Sequence, residues 1–464
     1  MSPLNFRLPA SSRRATEAAA LAIALAAAVS GFVSASIALN LRQNQPPTGG
    51  LAAAALLAAL AALALIGLHI CLRLRRIEIE QVLLPSVALI LVIGLSLIWR
   101  LRGLSGVLPQ LRSLALGAAI AGILVMQPYW VERIRRWALP ISLAGLGLVL
   151  LTAAFGAADA SGARLSLRAG PLPSIQTTEI MKVSLILFLA WFAEKEGRAV
   201  EGRARSILGW LRLPPLRYFL PGGLFVAVAT LALVRMADYG AVLILLLLFA
   251  GILFSAFETR TFATLLGIGA LLALPVILVL ALTWHVPDVV RYRFLAFTDP
   301  WSTAPYLVGG QPTGITIAQG PGYQIQQSIY AVMAGGLTGA GLGSGSPGFV
   351  PLAYSDFIFA SLIEEMGLVT GAAVLALFGI LVMRIFRCAS LLPENQVFER
   401  VLVAGIGIHL LAQVLVMVGG TLDLLPMTGV TVPFMSAGGT ALLVNLVEIG
   451  LVLALVQRAE GGAR

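Results

Sequence analysis

The chain has 464 residues, of which 59% are hydrophobic and 11% charged, with a net charge of +10. Globular proteins carry about 25% charged residues, and an aqueous fold of this size has too little interior to hide so much apolar surface. The composition excludes a soluble fold and points to an all-α polytopic membrane protein. The cations are 29 arginines and two lysines, Lys182 and Lys195. They gather at the ends of apolar runs, which reads as membrane topology and not as a nucleic-acid surface.

A helix needs about 20 apolar residues to cross the hydrocarbon core. In chain order such runs lie near 17–39, 51–72, 81–99, 114–130, 137–157, 177–194, 218–235, 239–257, 261–284, 357–383, 401–419 and 437–457. The pattern predicts about twelve spans. Arg7, Arg13 and Arg14 precede the first. Arg73, Arg75 and Arg76 follow the second, and Arg133, Arg135 and Arg136 the fourth. Arg198, Arg203, Arg205, Arg212 and Arg217 follow the sixth, Arg260 the eighth, Arg384 and Arg387 the tenth, and Arg458 the last. All fall on one side, which the positive-inside rule makes the cytoplasm, together with both termini. The other side keeps Arg42, Arg100, Arg102, Arg112, Arg164, Arg168, Arg235, Arg291 and Arg293. Arginines kept there either bind an anionic substrate group or sit among lipid headgroups.

The smaller signals are mostly negative. Cys71 and Cys388 each lie beside an Arg-rich span end, so a disulfide is not expected. His69, His285 and His409 match no zinc spacing. The first apolar run is a full span with no convincing cleavage site.

The longest connection, residues 285–355, falls on the non-cytoplasmic side, and connections of that length are usually functional or disordered. Within it Tyr323–Leu342 is amphipathic enough for a re-entrant or interfacial helix. Glycines 335, 336, 339, 341, 343 and 345 then mark a flexible or closely packed turn. No Walker lysine follows and no strand precedes, so no nucleotide site is expected.

Ionisable groups inside spans are costly and therefore functional candidates. Glu179 and Lys182, three apart, share a helix face and can pair, as a structural pair or as part of a polar cavity. Glu364 and Glu365 lie about two turns into the tenth span, Glu448 lies in the twelfth, and Asp238 sits in the turn MADYG. Asp356 opens the tenth span in PLAYSDFIFASLIEE. Its position suits a helix cap first, and also an ionised general base for a sugar hydroxyl at the membrane boundary.

The segment 322–368, GYQIQQSIYAVMAGGLTGAGLGSGSPGFVPLAYSDFIFASLIEEMGL, closely resembles the signature of the SEDS family of cell-wall proteins, typified by RodA and FtsW. So does LLPMTGVTVPFMSAGGTALL at 424–443. Weaker matches at 83–101, 162–182, 237–246 and 292–301 follow in family order, and together they cover about residues 80–457. The resemblance implies a SEDS-like ten-helix core over 81–464. Residues 1–80, with two extra N-terminal transmembrane helices, then precede that core.

It also implies a peptidoglycan glycosyltransferase in the bacterial cytoplasmic membrane, serving elongation or division. Such enzymes polymerise lipid II into glycan strands at the outer face, taking the strand from a polyprenyl pyrophosphate. A class B penicillin-binding protein is the implied partner. A lipid II flippase and a non-catalytic scaffold are the alternatives. Asp356 is the implied catalytic residue, as general base or as organiser of the acceptor and a metal ion. Glu179 and Lys182 match the family's polar pair, and Arg291 or Arg293 the arginine of a pyrophosphate contact. Gln327 and Ser436 are carried over as substrate or cavity residues. A divalent cation is compatible with this chemistry and no nucleotide is implied. The chain departs from the pattern at Ser166, Thr177, Thr178, Ala437 and Thr440, and a stretch at 302–321 looks inserted.

Overall fold

The fold is described from a computed structural model covering residues 14–42, 44, 46, 48, 50–75, 77, 80–127, 129–156, 166–167, 175–202, 205–207, 211–213, 216–256, 288–308 and 311–462. The ninth expected span, 261–284, lies outside the described residues, as do Arg7, Arg13, Arg76, Arg164, Arg168, Arg203, Arg260 and His285.

The helices are α1 (Ala15–Arg42), α2 (Leu51–Leu74), α3 (Leu83–Met126), α4 (Tyr129–Arg136), α5 (Ala138–Phe155), α6 (Thr177–Gly202) and α7 (Leu216–Arg235). They continue with α8 (Tyr239–Ala256), α9 (Asp288–Thr298), α10 (Pro321–Gly335), α11 (Ile358–Leu391), α12 (Val397–Thr421) and α13 (Gly439–Gly462). Three antiparallel pairs of short strands lie in the connections: β1 (Ser166–Leu167) with β2 (Ile175–Gln176), β3 (Arg205–Ile207) with β4 (Leu211–Leu213), and β5 (Pro305–Val308) with β6 (Gln311–Thr316). Eight of the described helices are long and apolar enough to cross a membrane. In lipid every backbone polar group needs an internal partner, which is why the apolar stretches are helical.

Two of these helices are broken. At 1.5 Å per residue α3 is about 66 Å long, twice the hydrocarbon thickness. It turns at Gly103, whose φ of 58° is in the left-handed region. The halves 83–102 and 104–126 are the third and fourth expected spans. The second starts about ten residues earlier than its hydropathy suggested, because Pro109, Gln110 and Arg112 are helical and Gln110 is buried. α11 breaks at Gly367, with φ 83°. The expected tenth span is therefore a short helix, 358–366, followed by a long one, 368–391. Glu364 and Glu365 lie about two turns into the apolar helix, as expected, and they close its short first piece just before the break.

α3 is the centre of one half of the bundle, with α1, α2 and α13 packed on it. α6 is the centre of the other, against α5, α7, α8 and α12. The connections at one end carry charge networks. Glu80 accepts hydrogen bonds from the N–H groups of Val82 (2.8 Å) and Leu83 (3.1 Å) and pairs with Arg384 of α11 at 2.7 Å. A carboxylate there complements the helix N-terminus. Arg135 bonds Glu194 of α6 and reaches Glu399 of α12 at 3.4 Å. Arg14 bonds the carbonyls of Ile77 and Glu80 and pairs with Glu17, which also meets His69 at 2.6 Å. Between α12 and α13, His409 Nδ1 lies 2.8 Å from Glu448, both fully buried. Cys71 and Cys388 are free thiols.

The expected amphipathic helix at 323–342 is α10, which stops at Gly335. The stretch 302–321 folds as the β5–β6 hairpin. Tyr292 supports it, with its ring edge-on to Tyr306 at 4.7 Å and its hydroxyl accepting the Leu307 N–H at 3.0 Å.

Candidate active site around Asp356

The carboxylate is delivered by a turn that several separate interactions hold. Phe357 is fully buried and packs with Ala331, Val350, Ala353 and Ala360. Leu352 adopts φ 56°, and its carbonyl accepts the N–H groups of Ser355 (3.0 Å) and Phe357 (3.3 Å). Ser361 donates to the Ala353 carbonyl at 3.0 Å. Asp356 is not the cap of α11: that position is Phe357, and no side chain caps the helix. The cap expectation fails because the helix begins one residue too late for it, which puts Phe357 and not Asp356 at the capping position.

A second turn, 432–437, grips the residues just before Asp356. Ser436 donates its hydroxyl to the Ser355 carbonyl at 2.7 Å and accepts the Val432 N–H at 2.8 Å. The Ala437 N–H donates to the Tyr354 carbonyl at 2.9 Å. Ser436 is buried, and its hydroxyl is engaged with the backbone on both sides. It is a clamp on the Asp356 turn rather than a group open to a ligand. Arg102 lies over the Tyr354 ring, 4.6 Å from its centre, so this outlying arginine also braces the turn. Gly429, at φ 72°, faces the carboxylate: a Cβ there would sit 3.6 Å from Asp356 Oδ2. The absence of a side chain leaves room beside the acid.

Burial pushes the Asp356 carboxyl up to about 6; the Ser355 hydroxyl and the positive charge of Arg293 pull the other way. Burial disfavours the charged form and a nearby cation restores part of it. Arg293, half-buried on α9, also acts on Asp238 in the α7–α8 turn. Asp238 is raised mainly by burial, against the Ala241 N–H it accepts at 2.9 Å and the charges of Lys182 and Arg293. Arg293, Asp238, Lys182, Glu179 and Asp356 therefore share one electrostatic neighbourhood. Sequence reasoning noted Asp238 as costly but did not place it in the site. Its signal was the ADYGAV match itself.

Of the other expected residues, Glu179 and Lys182 are both buried and pair at 2.7 Å. The adjoining Gln176 N–H donates to Thr440 at 3.3 Å, and Thr177 and Thr178 are buried. Arg291 is exposed and lies over its neighbour Tyr292, 5.8 Å from the ring centre, so of the two arginines Arg293 is the one turned to the acids. Gln327 is half-buried on α10. The glutamine with a defined task is its neighbour Gln326, which donates to the Pro300 (2.6 Å) and Ala318 (3.2 Å) carbonyls. Arg100, one of the arginines left on the far side, is buried and pairs with Glu365 at 3.3 Å, which is a structural role. Ser166 is in β1, and the rest of its GAR-type motif lies outside the described residues. A cavity of about 800 Å³ lies elsewhere, between α2 and the second half of α3. Among the described residues no three His, Cys, Asp or Glu side chains converge to hold a metal, and the charge acting most directly on Asp356 is a cation. Among the described residues, the donors around Asp356 do not build a divalent site.

Comparison with known proteins identifies the family of the chain. The FtsW/RodA/SpoVE profile, described as "Cell cycle protein", matches residues 75–460. A probable peptidoglycan glycosyltransferase FtsW of Thiomicrospira cyclica is 33% identical over 74% of this chain and 80% of its own length. Peptidoglycan glycosyltransferase RodA of Mycobacterium tuberculosis is 31% identical over 72% of this chain and 66% of its own. A solved structure described as "Structural coordination of polymerization and crosslinking by a peptidoglycan synthase complex" superposes with a TM-score of 0.63 at 26% identity, covering 81% of this chain and 97% of that one. The rod shape determining protein RodA of Thermus thermophilus gives a TM-score of 0.54 at 25% identity, covering 81% and 95%. A profile spanning most of the sequence and relatives above 30% identity lead to one conclusion: the chain belongs to the FtsW/RodA/SpoVE family of cell cycle proteins.

Proposed function

We propose that the chain polymerises lipid II at the outer face of the cytoplasmic membrane, with Asp356 as the general base that takes the proton from the acceptor hydroxyl. It is a peptidoglycan glycosyltransferase, the activity its relatives carry in their names. The observation that carries the residue assignment is the held carboxylate. Asp356 sits at the start of a helix, clamped on both sides, with its pKa raised to about 6 and space kept open beside it by Gly429. A base poised near the working pH is efficient, since it is both ionised and able to hold the proton it removes.

Arg293 supplies positive charge for the pyrophosphate leaving group, whose developing charge must be absorbed in the transition state. Glu179 and Lys182 shape the polar wall below it. Since the donors among the described residues do not build a cation site, no step is routed through one. The arginine distribution supports an outer position for the end of the bundle that bears α9, α10 and Asp356, with both termini cytoplasmic. A class B penicillin-binding protein is the fitting partner, because the matched complex joins polymerisation to crosslinking.

The test uses purified protein and labelled lipid II. Wild type is expected to make glycan strands, and Asp356→Ala to lose about 10²- to 10⁴-fold in rate. Normal polymerisation by that variant would remove Asp356 from the chemistry. Lipid II crossing vesicles without polymer would favour transport, and binding of the partner with neither activity a scaffold.

A further inference from the structure

The residues matched by the family begin at 75, so α1 and α2 lie outside the match. α1 nevertheless packs directly against elements of the site. It runs along the first half of α3, where a Cβ on Gly31 would come within 2.5 Å of Ser96 Oγ. The Phe32 ring lies 6.3 Å from that of Trp99, and the Trp99 indole N–H donates to Ser36 at 2.9 Å. Near the end of α1, Ala38 meets the glycine-rich loop: a Cβ added to Gly343 would collide with that of Ala38. The Gly343 carbonyl accepts from Arg100 Nη2 at 3.2 Å, and the Arg100 Nε faces Glu365 at 3.3 Å.

The same loop is laced to the break in α11. Ala340 and Gly341 donate N–H groups to the Glu364 and Glu365 carbonyls, each at 2.9 Å. Leu368 donates to Gly336 at 2.9 Å, and Ser346 N–H bonds the Glu364 carboxylate. The piece of α11 held in this way is the short helix 358–366. That helix is about 13 Å long at 1.5 Å per residue, and Asp356 precedes its far end by two residues.

We propose that α1 is a positioning element for Asp356: Ser36 and Ala38, acting through Trp99, Arg100 and Gly343, fix the pose of the helix 358–366 that aims the carboxylate. This rests on the reading of Asp356 as the general base. Neither residue touches the carboxylate, so neither is catalytic. The contact is tight enough to transmit displacement. Ala38 and Gly343 meet without space for one more carbon, and packed interfaces shift as units rather than deforming smoothly. Shifting an aligned base by about 1 Å costs up to about a hundredfold in rate.

The experiment compares full-length wild type with Ala38→Leu, Ala38→Ser and Ser36→Ala, reading lipid II polymerisation and amide hydrogen exchange. Ala38→Leu should lower kcat by about tenfold or more with KM within about twofold, and Ala38→Ser, which adds a single atom at the same contact, should lower it less. Exchange should quicken in 340–357 and stay unchanged in α12. Should Ala38→Leu fail to fold, Ser36→Ala, which removes the Trp99 partner and the hydroxyl's own bond to the Phe32 carbonyl within α1, must show the same local exchange change and a lesser fall in kcat. Wild-type kcat in Ala38→Leu, or exchange unaltered in 340–357 or raised throughout the bundle, would overturn the inference. If wild type itself makes no polymer, the transferase reading fails, while the exchange pattern still decides whether α1 sets the loop.

Discussion

Asp356 is a carboxylate that the protein partly desolvates and then partly compensates, and its titration follows from the balance. Burial holds its pKa near 6, above the ordinary carboxylate value, while Arg293 and the Ser355 hydroxyl lower it. The base must be ionised, so kcat/KM should rise as pH increases through about 6 and level off above it. Replacing Arg293 with Ala removes a force that favours the ionised form, so the acid limb should move to higher pH. Ser355→Ala should shift it in the same direction. A pH–rate profile checks both, and a limb that stays in place in Arg293→Ala would mean that the arginine does not act on this acid. At this scale the sequence named most of the relevant groups. It could not decide between Arg291 and Arg293, two residues apart on one short helix, because only the pose of α9 sets which of them faces the acids. It also could not tell that Ser436 is consumed by the backbone of a neighbouring turn.

The elements were legible where apolar length decides and less so where a single residue breaks a helix. Polar Gln110 and Arg112 made the fourth span look shorter than it is, since hydropathy cannot see that Gln110 finds a buried place. The break at Gly367 was hidden inside a stretch long enough to read as one span, although Glu364 and Glu365 stand just before it. The β5–β6 hairpin had a local signal, Gly309–Gly310 between two β-prone stretches, which the reading as an unexplained insertion passed over. Close approaches between elements bear directly on stability. A Cβ on Gly94 of α3 would run into the Met435 backbone in the turn that clamps Asp356, whereas Gly147 of α5 has nothing within 4 Å. Gly94→Ala should therefore cost about 1–3 kcal/mol from overpacking and slow polymerisation. Gly147→Ala should be neutral or gain up to about 1 kcal/mol in helix stability. Thermal unfolding in detergent measures both, and equal effects would show that the α3–turn contact is not the tight one.

For the whole molecule, the arginine asymmetry and the bundle give one testable geometry. Gln311 is exposed on the β5–β6 hairpin, and Glu394 is exposed in the α11–α12 connection at the opposite end. With Cys71 and Cys388 replaced by alanine, a cysteine at 311 should react with a membrane-impermeant maleimide in intact cells. One at 394 should react only after permeabilisation. The reverse pattern would invert the orientation and move Asp356 to the wrong side for strand synthesis.

The last turn of the first half of α3 faces three ways at once. Trp99 meets α1, Arg100 meets the glycine-rich loop and Glu365, and Arg102 lies over Tyr354 beside the acid. Each residue added to a helix rotates everything beyond it by about 100°. A single insertion or deletion between 83 and 99 would thus swing all three partners out of register together. Lineages of this protein should keep the length of that stretch constant even where its buried apolar residues exchange with one another.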